Sequence, residues 1–420
     1  MPGYVIPSIV EHRVSPKGKE IIDKVYKFVN EECIPADAIV EAQMPEDASK
    51  RFLNTYPPII DELKAKAKAA GLWNLFLSEG HYKEGSALTN LEYGICAEIM
   101  GTSYIASEAM NCSAPDTGNM EVLAKYGNEA QKREWLKPLL DGQIRSAFVM
   151  TERTKASSDA RNIDLDMVRD GDSYILNGTK WWSSGAGDPR CKIYLVMGKT
   201  DPKNPNPYKQ QSVIVVPTGN PGVTVQRALS VYGYDDAPHG HCELIFKNCR
   251  VPASNIILGP GRGFEIIQGR LGPGRIHHCM RSIGVAEKAL EYLIARINDP
   301  DRSTFGVPLA SHGVILEWIA RSRIEIDAAR FLVLNAADMI DKTDAKGAMK
   351  QIAMAKISVP SMALTVIDRA VQAHGAAGVC QDFPLAKMWA HMRTLRIADG
   401  PDEVHLNQLG RRENQRVKEM

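Results

Sequence analysis

Tyr174-Ile175-Leu176-Asn177-Gly178-Thr179-Lys180-Trp181-Trp182-Ser183-Ser184 decides how this 420-residue chain is read. A short apolar run is followed by the turn-forming pair Asn177-Gly178 and then by two adjacent tryptophans. β-branched and aromatic residues between turn formers fit a pleated, half-buried surface, so the stretch reads as β structure. The same texture recurs at residues 147–150, 193–197, 213–216 and 244–246. Gly171-Asp172 is a second turn pair, and residues 201–208, with three prolines, read as a surface loop.

Outward from this segment the period changes. Ile21, Ile22, Val25, Phe28 and Val29 recur at helical spacing over residues 18–32, and residues 59–70 repeat the amphipathic habit before stopping at Gly71. Past the glycine-rich joint at 259–263, long helical patterns run over 282–297, 314–340 and 346–374, long enough for a helical bundle. Pro360 predicts a kink or break in the last of these, because proline lacks the donor its helical position needs. Helices, then strands, then longer helices argue against a parallel βαβ sheet and a Rossmann fold. The expectation is an α+β chain in three parts: an N-terminal α-helical domain (1–145), a central β sandwich or barrel (146–255) and a C-terminal four-helix bundle (256–420).

Composition narrows the partners. Lys plus Arg total 51 against 50 for Asp plus Glu, which offers no net pull toward nucleic acid or an anionic membrane. The hydrophobic fraction of 44% is ample for real cores. Eight scattered cysteines form no Cys-x-x-Cys pair and fit a reducing compartment. Residues 1–16 hold no long apolar stretch, and no run of about 18 apolar residues occurs anywhere, so neither a signal peptide nor a membrane span is expected. Residues 417–420 are not a Ser-Lys-Leu tail. An intracellular address is expected, with mitochondrion, peroxisome and cytoplasm left open.

Four separated blocks carry the chemistry. They are Tyr126-Gly127-Asn128-Glu129 with Ala147-Phe148-Val149-Met150-Thr151-Glu152 and Ala156-Ser157-Ser158-Asp159; the 174–184 stretch; Leu271-Gly272-Pro273-Gly274-Arg275-Ile276-His277-His278-Cys279-Met280-Arg281 with Arg302-Ser303-Thr304-Phe305-Gly306; and Gln372-Ala373-His374-Gly375-Ala376 with Ala398-Asp399-Gly400-Pro401-Asp402-Glu403. In this order, over roughly residues 120–410, they resemble the acyl-CoA dehydrogenase superfamily, and most of all its branch related to family members 10 and 11. In that branch an aspartate stands where the medium-chain enzymes carry a glutamate.

The resemblance implies the acyl-CoA dehydrogenase fold, FAD as cofactor and a homodimer or homotetramer working in fatty acid metabolism. It makes Asp399 the base that removes the α proton of an acyl-CoA, with hydride passing to the flavin and a 2-enoyl thioester as product. The family polarises the substrate carbonyl with the base residue's backbone N–H and a ribityl hydroxyl. Flavin-contacting positions fall on Phe148, Met150, Thr151, Ser158, Trp182, Ser183, Ser184, Pro401 and Glu403. Arg302, Gln372, Gly375 and Ala376 fall on positions that reach a neighbouring subunit's FAD, and Ser303 and Thr304 beside Arg302 are further cofactor positions. Ser158, Arg275 and Gly400 fall on substrate positions.

Each residue also has a plainer reading. Trp181 reads as a core ring of a strand pair, whereas Trp182 supplies the flat apolar wall an isoalloxazine needs. Arg302 has the fixed donor fork a diphosphate favours, against a solvated loop charge. Arg275 reads equally as a partner for CoA phosphate and as one for acidic groups on its own helix. His277 and His278 lie on different helix faces without a third ligand, so packing or hydrogen bonding is expected, and no metal. Residues 259–263 lack the Lys-Ser or Lys-Thr of a P-loop and read as a hinge.

Departures from the family pattern are local. Arg153-Thr154-Lys155 replaces the proline that commonly follows Thr-Glu, placing two cations where they face water or serve an anionic group on the substrate. Asn298-Asp299-Pro300-Asp301 is about two residues longer than the usual junction before Arg302. Gly313 stands at a frequent glutamine position, and Pro401 at a threonine. Electron-transferring flavoprotein or oxygen is the expected electron acceptor. The competing readings are an oxidase of the same superfamily, similar to nitroalkane oxidases, and a flavin-bearing DNA-associated binding protein.

Overall fold

The computed structural model describes residues 4–78 and 80–418, with the side chains of 270–273, 417 and 418 outside the description. Leu271, Gly272 and Pro273 of the third block therefore carry no side-chain account. In chain order the elements are helices to Leu140, strands from Arg145 to Pro252 and helices from Gly263 onward, with one short hairpin at Ser303–Thr304 and Val307–Pro308. Two compact units interleave along the chain. The helical unit takes the described residues of Met1–Ile34, Leu88–Ser107 and Arg275–Met420, and the β-rich unit takes Pro35–Ala87 and Glu108–Gly274.

In the β-rich unit the strands are β1 (Arg145–Val149), β2 (Asp166–Asp170), β3 (Ser173–Ser184), β4 (Cys191–Lys199), β5 (Gln211–Pro217), β6 (Val223–Leu229) and β7 (His241–Pro252). They form one seven-stranded sheet in the order β1-β4-β2-β3-β7-β6, with β5 paired to β4. β1 runs parallel to β4, whereas β2–β3, β3–β7, β4–β5 and β6–β7 are antiparallel. Val149, Leu176, Val196, Ile214, Val216, Leu244 and Val251 pack a fully buried core. Gly171 closes the β2–β3 turn at φ +58. Asn177-Gly178, expected as a turn, is instead an interruption within β3, where the register with β7 shifts between Leu176 and Gly178. Gly178 holds φ +149, and the Asn177 side chain accepts from the Asn248 N–H at 2.7 Å, so the strand bulges rather than reverses.

In the helical unit Pro16–Phe28 starts at Ser15, whose hydroxyl accepts from the Gly18 N–H, and buries Ile21, Ile22, Val25 and Phe28. Asn90–Met100 starts with a reciprocal Thr89–Glu92 cap and is buried along its whole length. Its end packs against the Gly263–Ile297 helix through glycine: a Cβ on Gly284 would stand 2.0 Å from the Glu98 carbonyl oxygen, and one on Gly101 would stand 2.2 Å from that of Arg281. Gly313–Lys342 and Met349–His374 complete the long helices. The latter continues through Pro360 without a break, contrary to an end at that point. Val359, Pro360, Met362 and Ala363 are all buried there, and packing outweighs the lost backbone donor.

Candidate active site

The flavin-type residues of the β-rich unit gather where β3 meets the start of β7. The β3–β7 register shifts again between Lys180 and Ser183, and within this irregularity Trp182 adopts φ +52. Left-handed backbone is costly for a bulky residue, so the surrounding strands must enforce it. The indole is 39% exposed and lies tilted on the His241 ring, 5.3 Å between centroids. Trp181 is half-buried and meets Trp182 edge-on at 6.3 Å. Ser184 and His241 are directly opposed across β3 and β7, and the Ser184 hydroxyl stands 2.8 Å from His241 Nδ1. Ser183 Oγ is buried without a hydrogen-bond partner.

The segment bearing Phe148, Met150 and Thr151 is tied to this patch from beneath. Lys180, wholly buried, donates to the Met150 carbonyl at 2.7 Å and to Glu152 Oε1 at 2.8 Å. Glu152 in turn accepts from the backbone N–H groups of Asp164 and Leu165. Burial pushes the Lys180 ammonium down to about 8 while Glu152 opposes the shift. The Trp181 N–H donates to the Thr151 carbonyl at 3.0 Å. Phe148, Met150 and Thr151 are half-buried, and Ser158 is exposed.

The unusual loop cations have protein partners. Arg153 lies 3.6 Å from Glu243 and over the Trp181 ring, and Lys155 lies 2.9 Å from Asp164. With Thr154 they border a cavity of about 300 Å³ that Asp164 and Glu243 also line. Its cations are offset by carboxylates, so the loop does not single out an anionic ligand.

In the helical unit Asp399 sits on a built corner. It adopts φ +55, Gly400 follows at φ +98, and the Asp402–Lys418 helix begins directly after. Aspartate tolerates left-handed backbone better than most residues, which makes the Asp-Gly-Pro sequence suitable here. The Asp399 carbonyl accepts from Arg275 Nε at 3.0 Å and lies 3.3 Å from His405 Nε2. Lys356 donates to the Leu395 carbonyl and reaches the Gly400 carbonyl at 3.4 Å, and Arg396 pairs with Asp402 at 2.6 Å. A Cβ on Gly400 would stand 2.8 Å from His405 Nε2, so this position requires glycine for space as well as φ. The backbone is thus fixed independently of the Asp399 carboxylate.

That carboxylate is 24% exposed and stands 3.3 Å from His278 Nε2. Arg281 lies 3.2 Å from His278 Nδ1, and a guanidinium can only donate. Nδ1 is therefore the acceptor, and the Nε2–H of His278 points at Asp399. Arg275, read from sequence as a CoA or intrahelical partner, is engaged through Nε with the Asp399 loop.

His277 faces elsewhere, 1% exposed and edge-on to Tyr93 at 4.6 Å between centroids, with both ring nitrogens lacking a hydrogen-bond partner. Burial, then Arg281 and His278, hold its pKa well below the ordinary 6.5. A depressed histidine contributes stability that is full above the unfolded value and is lost as pH falls toward the folded one. Replacement by phenylalanine is therefore expected to confer a relative stability that grows by about 2 kcal/mol on going from pH 8 to pH 5. Urea midpoints of the two proteins at those pH values check this, and a pH-independent difference contradicts it.

The remaining candidates are on the surface of the helical unit. Arg302 is exposed and pairs loosely with Asp299 at 3.5 Å; Ser303 and Thr304 form one arm of the hairpin, with Thr304 Oγ1 3.1 Å from His312 Nε2. Phe305, at the tip, is 99% exposed at φ +52. Gln372, Gly375 and Ala376 lie exposed where the Met349–His374 helix turns at Gly375, φ +62. Pro401 is half-buried and Glu403 exposed. Lys180, Glu152, His241 and His278 were not singled out for these positions from sequence.

Among the described residues no group of three or more His, Cys, Asp or Glu side chains is arranged for a metal, and no helix is long and apolar enough to cross a membrane. The N-terminal, middle and C-terminal domain profiles of acyl-CoA dehydrogenases match residues 15–143, 147–249 and 261–413. Acyl-CoA dehydrogenase family member 11 of Gallus gallus is 52% identical over 94% of the chain, and family member 10 of Mus musculus is 53% identical over 93%. The chain spans 50% and 36% of those proteins, about half their length or less. A solved Mycobacterium abscessus structure assigned as an acyl-CoA dehydrogenase superposes with TM-score 0.90 at 47% identity, covering 96% of this chain and 99% of that one.

Proposed function

The chain belongs to the acyl-CoA dehydrogenase family, oxidoreductases acting on CH–CH donors, and from that footing we propose that it converts an acyl-CoA thioester to its 2-enoyl-CoA. The α C–H bond breaks toward the Asp399 carboxylate, which takes the proton. The β hydrogen leaves as hydride, and the electron pair of the α C–H bond becomes the new double bond. FAD, when bound, supplies the two-electron acceptor for that hydride.

The residues present fit such a group. Trp182 offers an exposed indole face on enforced backbone, Ser184 a hydroxyl two residues on, and Ser183 a buried hydroxyl with no partner in the protein. Flat apolar wall plus polar edge is the donor set that a flavin ring requires. The observation that carries the reading is the corner at Asp399. Arg275 and His405 engage its carbonyl, which leaves the carboxylate positioned by His278 and one-quarter exposed for chemistry. A carboxylate that bound substrate dehydrates has its pKa raised toward the working pH, as removal of a weakly acidic proton needs.

The proposal includes a homo-oligomer in which Arg302, Gln372, Gly375 and Ala376 meet a second copy's cofactor; an apolar Phe305 tip in full contact with solvent supports it. It includes electron-transferring flavoprotein or oxygen as acceptor. Eight cysteines, seven of them buried, support an intracellular, reducing setting.

Purified protein loaded with FAD and mixed anaerobically with a panel of acyl-CoA thioesters is expected to lose its yellow colour with at least one. Full FAD occupancy with no bleaching by any member of a broad panel sinks the dehydrogenase reading. Peroxide formed in proportion to turnover in air marks oxygen as the acceptor.

A further inference from the structure

We propose that His241, with Asp236 behind it, fixes the hydrogen-bond polarity of Ser184, so that this hydroxyl meets the polar edge of the bound flavin as an acceptor. The inference rests on the reading above that Ser184 contacts FAD, and it assigns a positioning role to a residue of β7 that is not itself among the flavin positions.

The three groups follow one another in sequence of contact. Ser184 Oγ lies 2.8 Å from His241 Nδ1, and His241 Nε2 lies 3.7 Å from Asp236 Oδ2. Asp236 is buried and adopts φ +55, and its carbonyl accepts from the Gly240 N–H at 2.7 Å, which closes the loop leading into β7. The cross-strand pairing of Ser184 with His241 and the Trp182 ring tilted on the imidazole hold the histidine in place.

Neutral imidazole has one donor nitrogen and one acceptor. A lone pair on Nε2 facing the Asp236 carboxylate is repulsive, whereas an N–H there is attracted to it. The proton therefore sits on Nε2, Nδ1 accepts, and the Ser184 O–H donates to Nδ1. With its only hydrogen committed, Ser184 presents lone pairs alone to any second partner. Where such a hydroxyl meets a ring nitrogen that accepts in the oxidised flavin and carries a hydrogen in the reduced one, it would favour the reduced cofactor. The ring nitrogens are reversed relative to a serine-hydrolase triad, in which Nε2 faces the serine and Nδ1 the aspartate. Ser184 also ends a paired strand rather than standing on a nucleophile turn, so the hydroxyl is a fixed dipole and not a nucleophile.

The test is the midpoint potential of FAD bound to the full-length protein, measured by dye-equilibrated reduction without substrate. Ser184→Ala removes the acceptor and is expected to shift the reduced-to-oxidised ratio about tenfold toward oxidised, ~30 mV for a two-electron couple. His241→Phe frees the rotor and is expected to shift it by a similar factor. The double variant is expected to shift no further than either single one, and His241→Gln, which keeps an acceptor, to restore most of the wild-type value. Additive shifts, or identical potentials in FAD-bound wild type and Ser184→Ala, overturn the polarity assignment and leave the dehydrogenase reading standing. A wild-type protein that binds no FAD overturns both. Ser184→Ala deletes one oxygen, so the sign of its shift decides the polarity of the hydroxyl even where His241→Phe fails to fold, and His241→Gln then reads the role of the imidazole.

Discussion

Asparagine at position 399 is expected to slow substrate-dependent flavin reduction by about 10²–10⁴-fold, the range that removal of a general base commonly costs. FAD content is expected to stay at the wild-type level. Asparagine has nearly the same shape and tolerates the φ of +55 found here. The carbonyl contacts with Arg275 and His405 do not involve the side chain, and neither does the reach of Lys356 to Gly400. His278 still finds an oxygen acceptor in the amide. The variant therefore subtracts basicity while keeping the corner, and single-turnover reduction read at the flavin band isolates that loss from product release. A variant with reduced FAD occupancy or a lowered melting temperature would mean that the carboxylate also supports the fold.

Replacing Arg145 by methionine is expected to lower stability by about 3–5 kcal/mol, because one cation is removed from a buried multi-carboxylate network. The arginine side chain is 5% exposed at the start of β1. It donates to Asp116 at 2.8 Å, to Glu108 at 2.6 Å and to Ser113 at 3.0 Å, and it lies 3.5 Å from Asp188. Arg190 and Lys64 share Glu108, so the network is not emptied of positive charge. Burial on its own raises the Glu108 pKa, and Arg145, Arg190 and Lys64 overcome it, holding the carboxyl well below the usual range. Its contribution is thus present above pH 4.5 and lost as pH falls through the depressed folded value. Methionine keeps the length of the chain and loses the charge. Urea denaturation at pH 7 checks the magnitude, and a loss below about 1 kcal/mol would show that the remaining cations and water compensate the three carboxylates.

Much of the fold was legible because apolar periodicity is local. The runs at 174–176, 193–197, 213–216 and 244–246 lie in β3, β4, β5 and β7, all of which reach the core. β2 and β6 escaped because they are largely solvent-facing: Met167 is the buried residue of β2 and Leu229 that of β6. Asn177-Gly178 misled for a physical reason, since the pair that closes a tight turn also suits a bulge, and β7 decides between them. The break allowed for at Pro360 does not occur, because neighbours, not propensity, settle a helix that is buried at that point.

At the site, Asp399, Trp182 and Ser184 came from motif resemblance, and their surroundings could not have come from it. Arg275 is 124 positions from the carbonyl it holds, and His241 is 57 positions from Ser184. No window of sequence contains such pairs. The His278 tautomer required Arg281 to be seen beside Nδ1, and the tether from Lys180 to Met150 and Glu152 required the β3 strand to be placed under that segment.

The most direct measurement of the central claim is hydrogen exchange at the α carbon. An acyl-CoA that bleaches the wild-type flavin, incubated anaerobically with catalytic FAD-loaded enzyme in deuterium oxide, is expected to gain deuterium at that carbon by mass spectrometry. The Asp399→Asn protein, equally loaded with FAD, is expected to leave the same thioester unlabelled. Labelling by the variant at the wild-type rate would contradict the account, because some other group would then be removing the proton.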